Sequence, residues 1–366
     1  MIRAAVLTEP KRPLEILDVE LAAPGPGEVR VRVVAAGVCH SDYHYMVGDL
    51  PHPLPVVLGH EGAGVIEEVG PGVRDLAVGD HVVLLWRTSC GHCEYCSSGR
   101  PALCPVGNAI RASGTLEDGT SRLHLDGGGA LYHFLGVSCF AEAAVCPVDG
   151  VVKVPDDVPL EVAALCGCSV MTGVGAATNS AKVEPGSTVL VIGAGGVGLS
   201  AIMGAQLCGA ARIIAADLSP AKLELARQFG ATDTVDTSRE DLVRTVRKLV
   251  GGVETAVEAI GRADTVAQAV RALRAGGTAV AVGIAPPSIK AEVSLLDLVL
   301  QEKTLRGSVY GSTRPGIDFP RLFELYRTGR LPLDRLLSHR FRLDQINEAY
   351  DALLRGELTR AVVIPG

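Results

Sequence analysis

The chain carries two textures. From residue 1 to about 155, short β-branched apolar runs (VRVRVVAAGV, AGVIEEVG, DHVVLL) are separated by turn dipeptides such as Pro24-Gly25, Pro26-Gly27 and Pro71-Gly72. Many short strands between tight turns predict a barrel-like β domain. From about residue 170, continuous apolar runs alternate with longer helix-like segments: STVLVIG leads into GGVGLSAIMGAQLCG, ARIIAAD into SPAKLELARQFG, and ETAVEAIG into ADTVAQAVRALRAGG, before TAVAVGI. Such alternation predicts βαβ units on a parallel sheet buried on both faces, an α/β fold. After about residue 310 the texture reverts to mixed segments and ends in the strand-like RAVVIPG. A split first domain follows, residues 1–169 and 310–366, with an α/β unit, 170–309, inserted; no internal repeat or low-complexity tract interrupts it.

Composition fits this picture. A length of 366 residues suits about two domains, and 48% hydrophobic with 20% charged residues is the balance of a globular protein with a large core. Thirty-four Lys and Arg against 41 Asp and Glu leave a formal charge of −7, no electrostatic reason for nucleic-acid binding. The start, MIRAAVLTEPKRPLEILDVE, lacks the basic-then-apolar order of a signal peptide, and no segment reaches the ~18 unbroken apolar residues of a membrane span. A cytoplasmic protein without a membrane partner is expected. There the ten cysteines would stay reduced, and their clustering points to metal.

Three constellations carry chemistry. Gly193-Ala194-Gly195-Gly196-Val197-Gly198 is G-x-G-x-x-G between the strand-like TVLVI and a helical run. Its glycines permit a tight turn, a close approach of backbone N–H groups to a pyrophosphate and close helix–strand packing. A glycine turn without a ligand is the alternative. Asp217 ends the next apolar strand, 24 residues after Gly193, where an acid accepts both ribose hydroxyls and repels the 2′-phosphate of NADP. NAD is the expected cofactor, although Asp217 could also cap the helix after Ser219-Pro220. Second, Cys90, Cys93, Cys96 and Cys104 offer four thiolates on a short loop, a closed tetrahedral zinc site of structural type; oxidised pairs or an iron–sulfur cluster are the alternatives. Third, Cys39, His60 and Cys168 could form a zinc site with one open position. From spacing alone, three unrelated core residues are the more frequent reading.

The chain resembles the zinc-dependent alcohol dehydrogenases of the medium-chain dehydrogenase/reductase family, the liver alcohol dehydrogenases among them. The resemblance runs essentially end to end, through GVCHSDYH (37–44), GHEGAG (59–64), CGHCEYC (90–96) with Cys104, GCSVMTGVGAA (167–177), VIGAGGVG (191–198) and TRAVVIPG (359–366). It implies a GroES-like β-rich catalytic domain plus a Rossmann doubly wound parallel-sheet cofactor domain, with the active site in the cleft between them. Cys39, His60 and Cys168 become ligands of a catalytic zinc, and the four clustered cysteines hold a structural one, two Zn2+ per chain. Asp42 orients the ring of His60, and Glu61 is a carboxylate behind the metal. Ser41 and His44 form a proton relay. His40 and Arg360 contact the pyrophosphate, Thr172 packs behind the nicotinamide, and Lys222 lies near the adenosine ribose.

The family pattern places Leu50, Trp86, Ala109, Phe140, Ile284 and Val309 along the substrate pocket, Ile284 also touching the cofactor. Trp86, the only tryptophan, narrows the inner channel in favour of primary alcohols, aromatic or medium-chain ones among them. The expected reaction is reversible, NAD-dependent oxidation of such alcohols to aldehydes. A thiol-dependent formaldehyde dehydrogenase is the nearest alternative, against which Leu50 stands, because that subclass carries an acid there. A zinc-free quinone-type reductase and a non-catalytic zinc-binding structural protein are more distant. The polar, glycine-rich insert at about 105–140 resembles the loop of dimeric relatives, so a homodimer is expected, with 279–288 ending the sheet at the dimer axis. Cys139, Cys146, Cys166 and Cys208 have no assigned role beyond that of small apolar residues.

Overall fold

Along Glu28–Gly37 the valines at 29, 31 and 33 are buried, whereas Arg30 and Arg32 face outward. A strand's period of two thus buries one face and wets the other. The structure, a computed structural model, describes residues 1–366. Its chain divides into two units: Met1–Cys168 with Arg314–Gly366, and Ser169–Thr313.

The first unit is β-rich. Glu28–Gly37 sits inside a seven-stranded sheet between Gly62–Val69 and the C-terminal strand Arg360–Ile364, and Ala143–Pro147 also pairs with it. The final residues therefore return to the first unit because Val362 and Val363 pair with Gly37 and Ala36. A five-stranded sheet built on Ile2–Leu7 and Glu15–Leu21 completes the unit. Its larger core gathers Val29, Val31, Leu58, Phe134, Phe140 and Tyr350.

The second unit is a six-stranded, all-parallel sheet in the order Asp233–Asp236, Arg212–Asp217, Thr188–Ile192, Val253–Glu258, Leu273–Ala281, Thr304–Gly307. Numbered along the chain this is 3-2-1-4-5-6, the doubly wound Rossmann order, whose topological switch point lies beside Thr188–Ile192. Segment 279–288 does not end the sheet. Ala279 and Val280 are fully buried in an internal strand, and the edge belongs to Thr304–Gly307, whose four residues are all exposed. TLRG has no apolar run to mark it, so its strand character was invisible in the sequence. Asp233–Asp236, equally polar, was missed for the same reason.

Leu160–Ala181 forms one apolar helical stretch of 22 residues with mean hydropathy 1.6, long and apolar enough to cross a membrane by length and composition. Its most apolar window is 94% buried inside the protein, so the apolarity serves the core. Two stretches of it, Cys166–Val170 and Ala176–Ala181, are π-helical. Such widened turns recur at functional sites.

One buried titratable group takes no part in the site described below. His133, in the strand Tyr132–His133, is fully buried, and its Nε2 accepts the backbone N–H of Arg122 at 3.0 Å. Burial, followed by the charge of Arg122, drives the ring down to about 3. The unfolded chain binds this proton near pH 6.5 and the folded one does not, so stability is complete above about pH 6.5 and falls as the pH drops towards 3. The loss is about 2 kcal/mol between pH 7 and 5. His133→Gln, which keeps an acceptor for Arg122, should show a smaller fall in melting temperature over that interval; an equal fall would show that His133 carries none of the acid sensitivity.

Candidate active site

Three separate segments converge on one buried cluster. Cys39 precedes the helix His40–Met46 as its N-cap residue, His60 and Glu61 lie just ahead of the strand Gly62–Val69, and Cys168 sits in the π-helical turn Cys166–Val170. One ligand atom from each of Cys39, His60, Glu61 and Cys168 lies within 4.8 Å of every other, and all four residues are buried. Gly37 makes room for this set, because a Cβ there would overlap the side chain of Glu61.

Hydrogen bonds fix the orientation of each group. His60 Nδ1 stands 3.0 Å from Asp42 Oδ1, which also accepts Gly59 N–H at 3.3 Å. Asp42 thus fixes Nδ1 as the donor and turns His60 Nε2 towards the sulfurs. Nε2 lies 4.0 Å from Glu61 Oε1. On the far side, Arg360 Nη2 donates to Glu61 Oε2 in a buried ion pair, whereas Glu61 Oε1 has no partner.

The field within the cluster is steep. Cys39 is held well below the usual thiol range, first by the hydrogen bond from Cys168 and then, against burial, by His60. Cys168 is pushed well above it by the same sulfur–sulfur contact and by burial, so one proton is shared between the two sulfurs. Burial works against the charged form of His60, but Asp42 and Cys39 raise it well above the ordinary imidazole range. Burial lifts Glu61 to about 8, against the pull of Arg360. Two sulfurs and one imidazole nitrogen, closed off from water, suit a divalent zinc ion: the cation would compensate two buried thiolates and leave one of its four positions open, while Glu61 is drawn to Arg360.

The second cysteine set is more exposed. Cys90, Cys93, Cys96 and Cys104 also bring their sulfurs within 4.8 Å of one another. Although burial opposes it, N–H groups of Cys90, Gly107 and Val106 bring Cys104 down to about 6. Cys104 occupies the N-cap position of the helix Pro105–Ser113, at the positive end of its dipole. All ten cysteines are free in this structure. Four sulfurs leave no open position, as in a structural zinc site.

The other singled-out residues are distributed as follows. Ser41 and His44 lie on the helix His40–Met46; Cys39, not Ser41, is its N-cap, and no side chain caps it. His44 is half-buried, with Nδ1 3.0 Å from Asp49 Oδ2 and its ring 5.8 Å from that of the exposed His40. Trp86 stands edge-on to His60 at 6.2 Å, and Leu50 packs with it on the core that holds the fully buried Phe140. Ala109 is exposed on its helix. Arg360, expected at a pyrophosphate, is buried and bonded to Glu61. Sequence reading missed this pair, 299 residues apart, which no local spacing signals. It also missed Phe134, whose ring lies 6.1 Å from that of His60, and Asp49, which its five-residue distance from His44 could have revealed.

In the second unit the glycine loop joins the strand Thr188–Ile192 to the helix Gly196–Leu207, with Gly195 as N-cap and Gly193 at φ +95°. A Cβ on Gly195 would meet nothing, so open space lies before the helix N-terminus, a cradle for a pyrophosphate. Asp217 ends its strand and accepts Ala194 N–H at 2.8 Å and Ser219 N–H at 2.9 Å, which ties the acid to the loop. Ser219, not Asp217, caps the next helix, through Lys222 N–H. Thr172 Oγ1 is buried without a partner, as a group awaiting a ligand would be. Val309 is half-buried and Ile284 is exposed. These features suit a nicotinamide dinucleotide.

Comparison with known proteins agrees with this geometry. The model of alcohol dehydrogenase GroES-like domains matches residues 25–156, and that of zinc-binding dehydrogenases matches 196–327. The chain is 40% identical to alcohol dehydrogenase class-3 of Drosophila melanogaster over 99% of its own length and 97% of the relative's. It is 38% identical to S-(hydroxymethyl)glutathione dehydrogenase of Synechocystis over 99% of both. Among solved structures, benzyl alcohol dehydrogenase from Acinetobacter calcoaceticus superposes with a TM-score of 0.95 at 37% identity, covering 100% of this chain and 99% of that one. The chain therefore belongs to the zinc-dependent medium-chain alcohol dehydrogenase family, with a GroES-like domain joined to a Rossmann-type parallel sheet.

Proposed function

We propose that the protein is an NAD-dependent alcohol dehydrogenase that reversibly oxidises primary alcohols, aromatic ones included, to aldehydes. The observation that carries this reading is the buried convergence of Cys39, His60 and Cys168, with Asp42 behind the imidazole. These three residues would hold one zinc and the four clustered cysteines a second. When bound, the first zinc supplies a Lewis acid that acidifies an alcohol hydroxyl, and NAD supplies the hydride acceptor. The chain's own part is to orient and exclude. Asp42 fixes the His60 tautomer, and Arg360 neutralises Glu61 so that the latter does not compete as a full charge. Ser41 takes the hydroxyl proton, and His44, paired with Asp49, passes it towards solvent. Trp86 and Phe134 close apolar walls beside His60 and keep water out.

Asp217 supports NAD over NADP, since its carboxylate lies where a 2′-phosphate would be repelled. A homodimer is supported by the open strand edge Thr304–Gly307 beside the helix Leu295–Leu300, where Leu295, Leu296, Val299 and Leu300 are 68–76% exposed. Cysteines gathered into two ligand sets suit a reducing, cytoplasmic setting.

The relative from Synechocystis carries the name of a glutathione-adduct enzyme, so that activity is the second reading; apolar, half-buried Leu50 speaks against it. Steady-state kinetics on benzyl alcohol, ethanol and S-(hydroxymethyl)glutathione with both cofactors separates the two. Benzyl alcohol should give the highest kcat/KM, with NAD+ favoured over NADP+ by at least about tenfold. Turnover of the thiol adduct alone, or equal use of the two cofactors, would overturn the substrate or the cofactor assignment respectively.

A further inference from the structure

Asp42, fully buried, is left half-used. Its Oδ1 serves His60 and Gly59, but its Oδ2 has no hydrogen-bond partner although it also lies 3.0 Å from His60 Nδ1. A buried carboxylate oxygen without a donor is costly, and a free oxygen lets the carboxylate turn. A second orphan lies in the same core. Tyr350, on the helix Ile346–Leu354, is 2% exposed, packs its ring edge-on against Phe140 at 6.3 Å, and has a hydroxyl with no partner. For packing alone a phenyl ring would serve, since the hydroxyl adds only a desolvated donor.

The two orphans meet around Phe140: Tyr350 packs on its ring, and Gly59, which donates to Asp42 Oδ1, lies against the same residue, where a Cβ would stand 2.8 Å from the Phe140 ring. Burial first, and then the negative charge of Asp42, hold the Tyr350 phenol well above its ordinary range; the charges of Cys39, Glu61 and Cys139 act on it less. The phenol therefore keeps its proton and remains a buried donor without an acceptor.

We propose that Tyr350 is a positioning residue of the zinc site, its hydroxyl donating to Asp42 Oδ2 through one buried water. The inference rests on the zinc reading given above. The contact locks the carboxylate plane, and the carboxylate then holds the His60 ring with Nε2 turned to the sulfurs. Outer partners of this kind tune metal affinity by about ten- to a hundredfold. A water in the bridge would have both groups as partners, which meets the minimum for a retained internal water.

Tyr350→Phe keeps the ring and removes only the hydroxyl. In the zinc-loaded enzyme, release of the two zinc ions to a chelator should resolve into two phases, with the four-cysteine site as an internal control. The variant should accelerate the Cys39–His60–Cys168 phase about tenfold, leave the other phase unchanged and lower kcat/KM in parallel. In an Asp42→Asn background the same change should add nothing further to the release rate. Unchanged release together with a raised melting temperature would overturn the proposal, showing an idle buried hydroxyl. A full additional effect in the Asp42→Asn background would overturn it too, because Tyr350 would then act on another group. If the wild-type enzyme showed only the four-cysteine phase, the zinc reading itself would fail, a result distinct from either.

Discussion

His60→Ala is expected to lower kcat/KM for alcohol oxidation by about a thousandfold or more and to halve the zinc content from two ions per chain to one. Cys39, His60 and Cys168 are the three proposed ligands, and removing the imidazole leaves only two sulfurs. The loss is larger than that of one ligand bond, because Asp42, with no exposed surface, then lacks its principal donor. Lewis-acid stabilisation of a developing oxygen charge is worth several kcal/mol, which at about 1.4 kcal/mol per factor of ten gives the stated loss. The four-cysteine site is built from residues 90–104 and shares no group with the buried cluster, so its ion should remain. Zinc analysis and benzyl alcohol kinetics on the same preparation check both halves. Activity within tenfold of wild type with two ions still bound would contradict the ligand assignment.

The second large effect separates two glycines of one loop. Gly198 lies in the first turn of Gly196–Leu207, where a Cβ would overlap the carbonyl of Gly193. Neither backbone segment can yield, since Gly193 N–H is bonded to Ala216 O at 2.8 Å and Leu199 N–H to Gly195 O at 2.8 Å. Gly198→Ala should therefore destabilise the chain by about 3 kcal/mol. Gly195 has φ −80° and open space around its Cβ, so Gly195→Ala should cost only the cap preference, about 1 kcal/mol at most. Its effect falls on the ligand instead: a methyl group would stand where a pyrophosphate approaches, and NADH affinity should drop at least about tenfold. Thermal unfolding and NADH fluorescence titration of both variants read this contrast. Wild-type NADH affinity in Gly195→Ala would remove the loop from the cofactor site.

Legibility in the sequence followed physical cause. The parallel sheet was readable wherever burial on both faces made runs such as TVLVI and RIIAAD continuously apolar, and was lost at DTVD and TLRG, whose polar residues leave no apolar run. The cysteine quartet was plain because its four members lie within fifteen residues. Cys39, His60 and Cys168 were not decidable from spacing, because strand pairing and a widened helical turn bring them together, and the family resemblance had to point to them. The support behind the cluster was least visible. Glu61 meets Arg360 only because the last strand is inserted beside Glu28–Gly37, and Tyr350 reads as one more core aromatic until its hydroxyl is found without a partner.

Anomalous diffraction at the zinc absorption edge, on crystals of the zinc-replete enzyme, tests the central claim most directly. Two peaks per chain are expected, one amid Cys90, Cys93, Cys96 and Cys104 and one in contact with Cys39, His60 and Cys168. A single peak at the four cysteines, in crystals whose dissolved protein oxidises alcohol at full rate, would contradict the account.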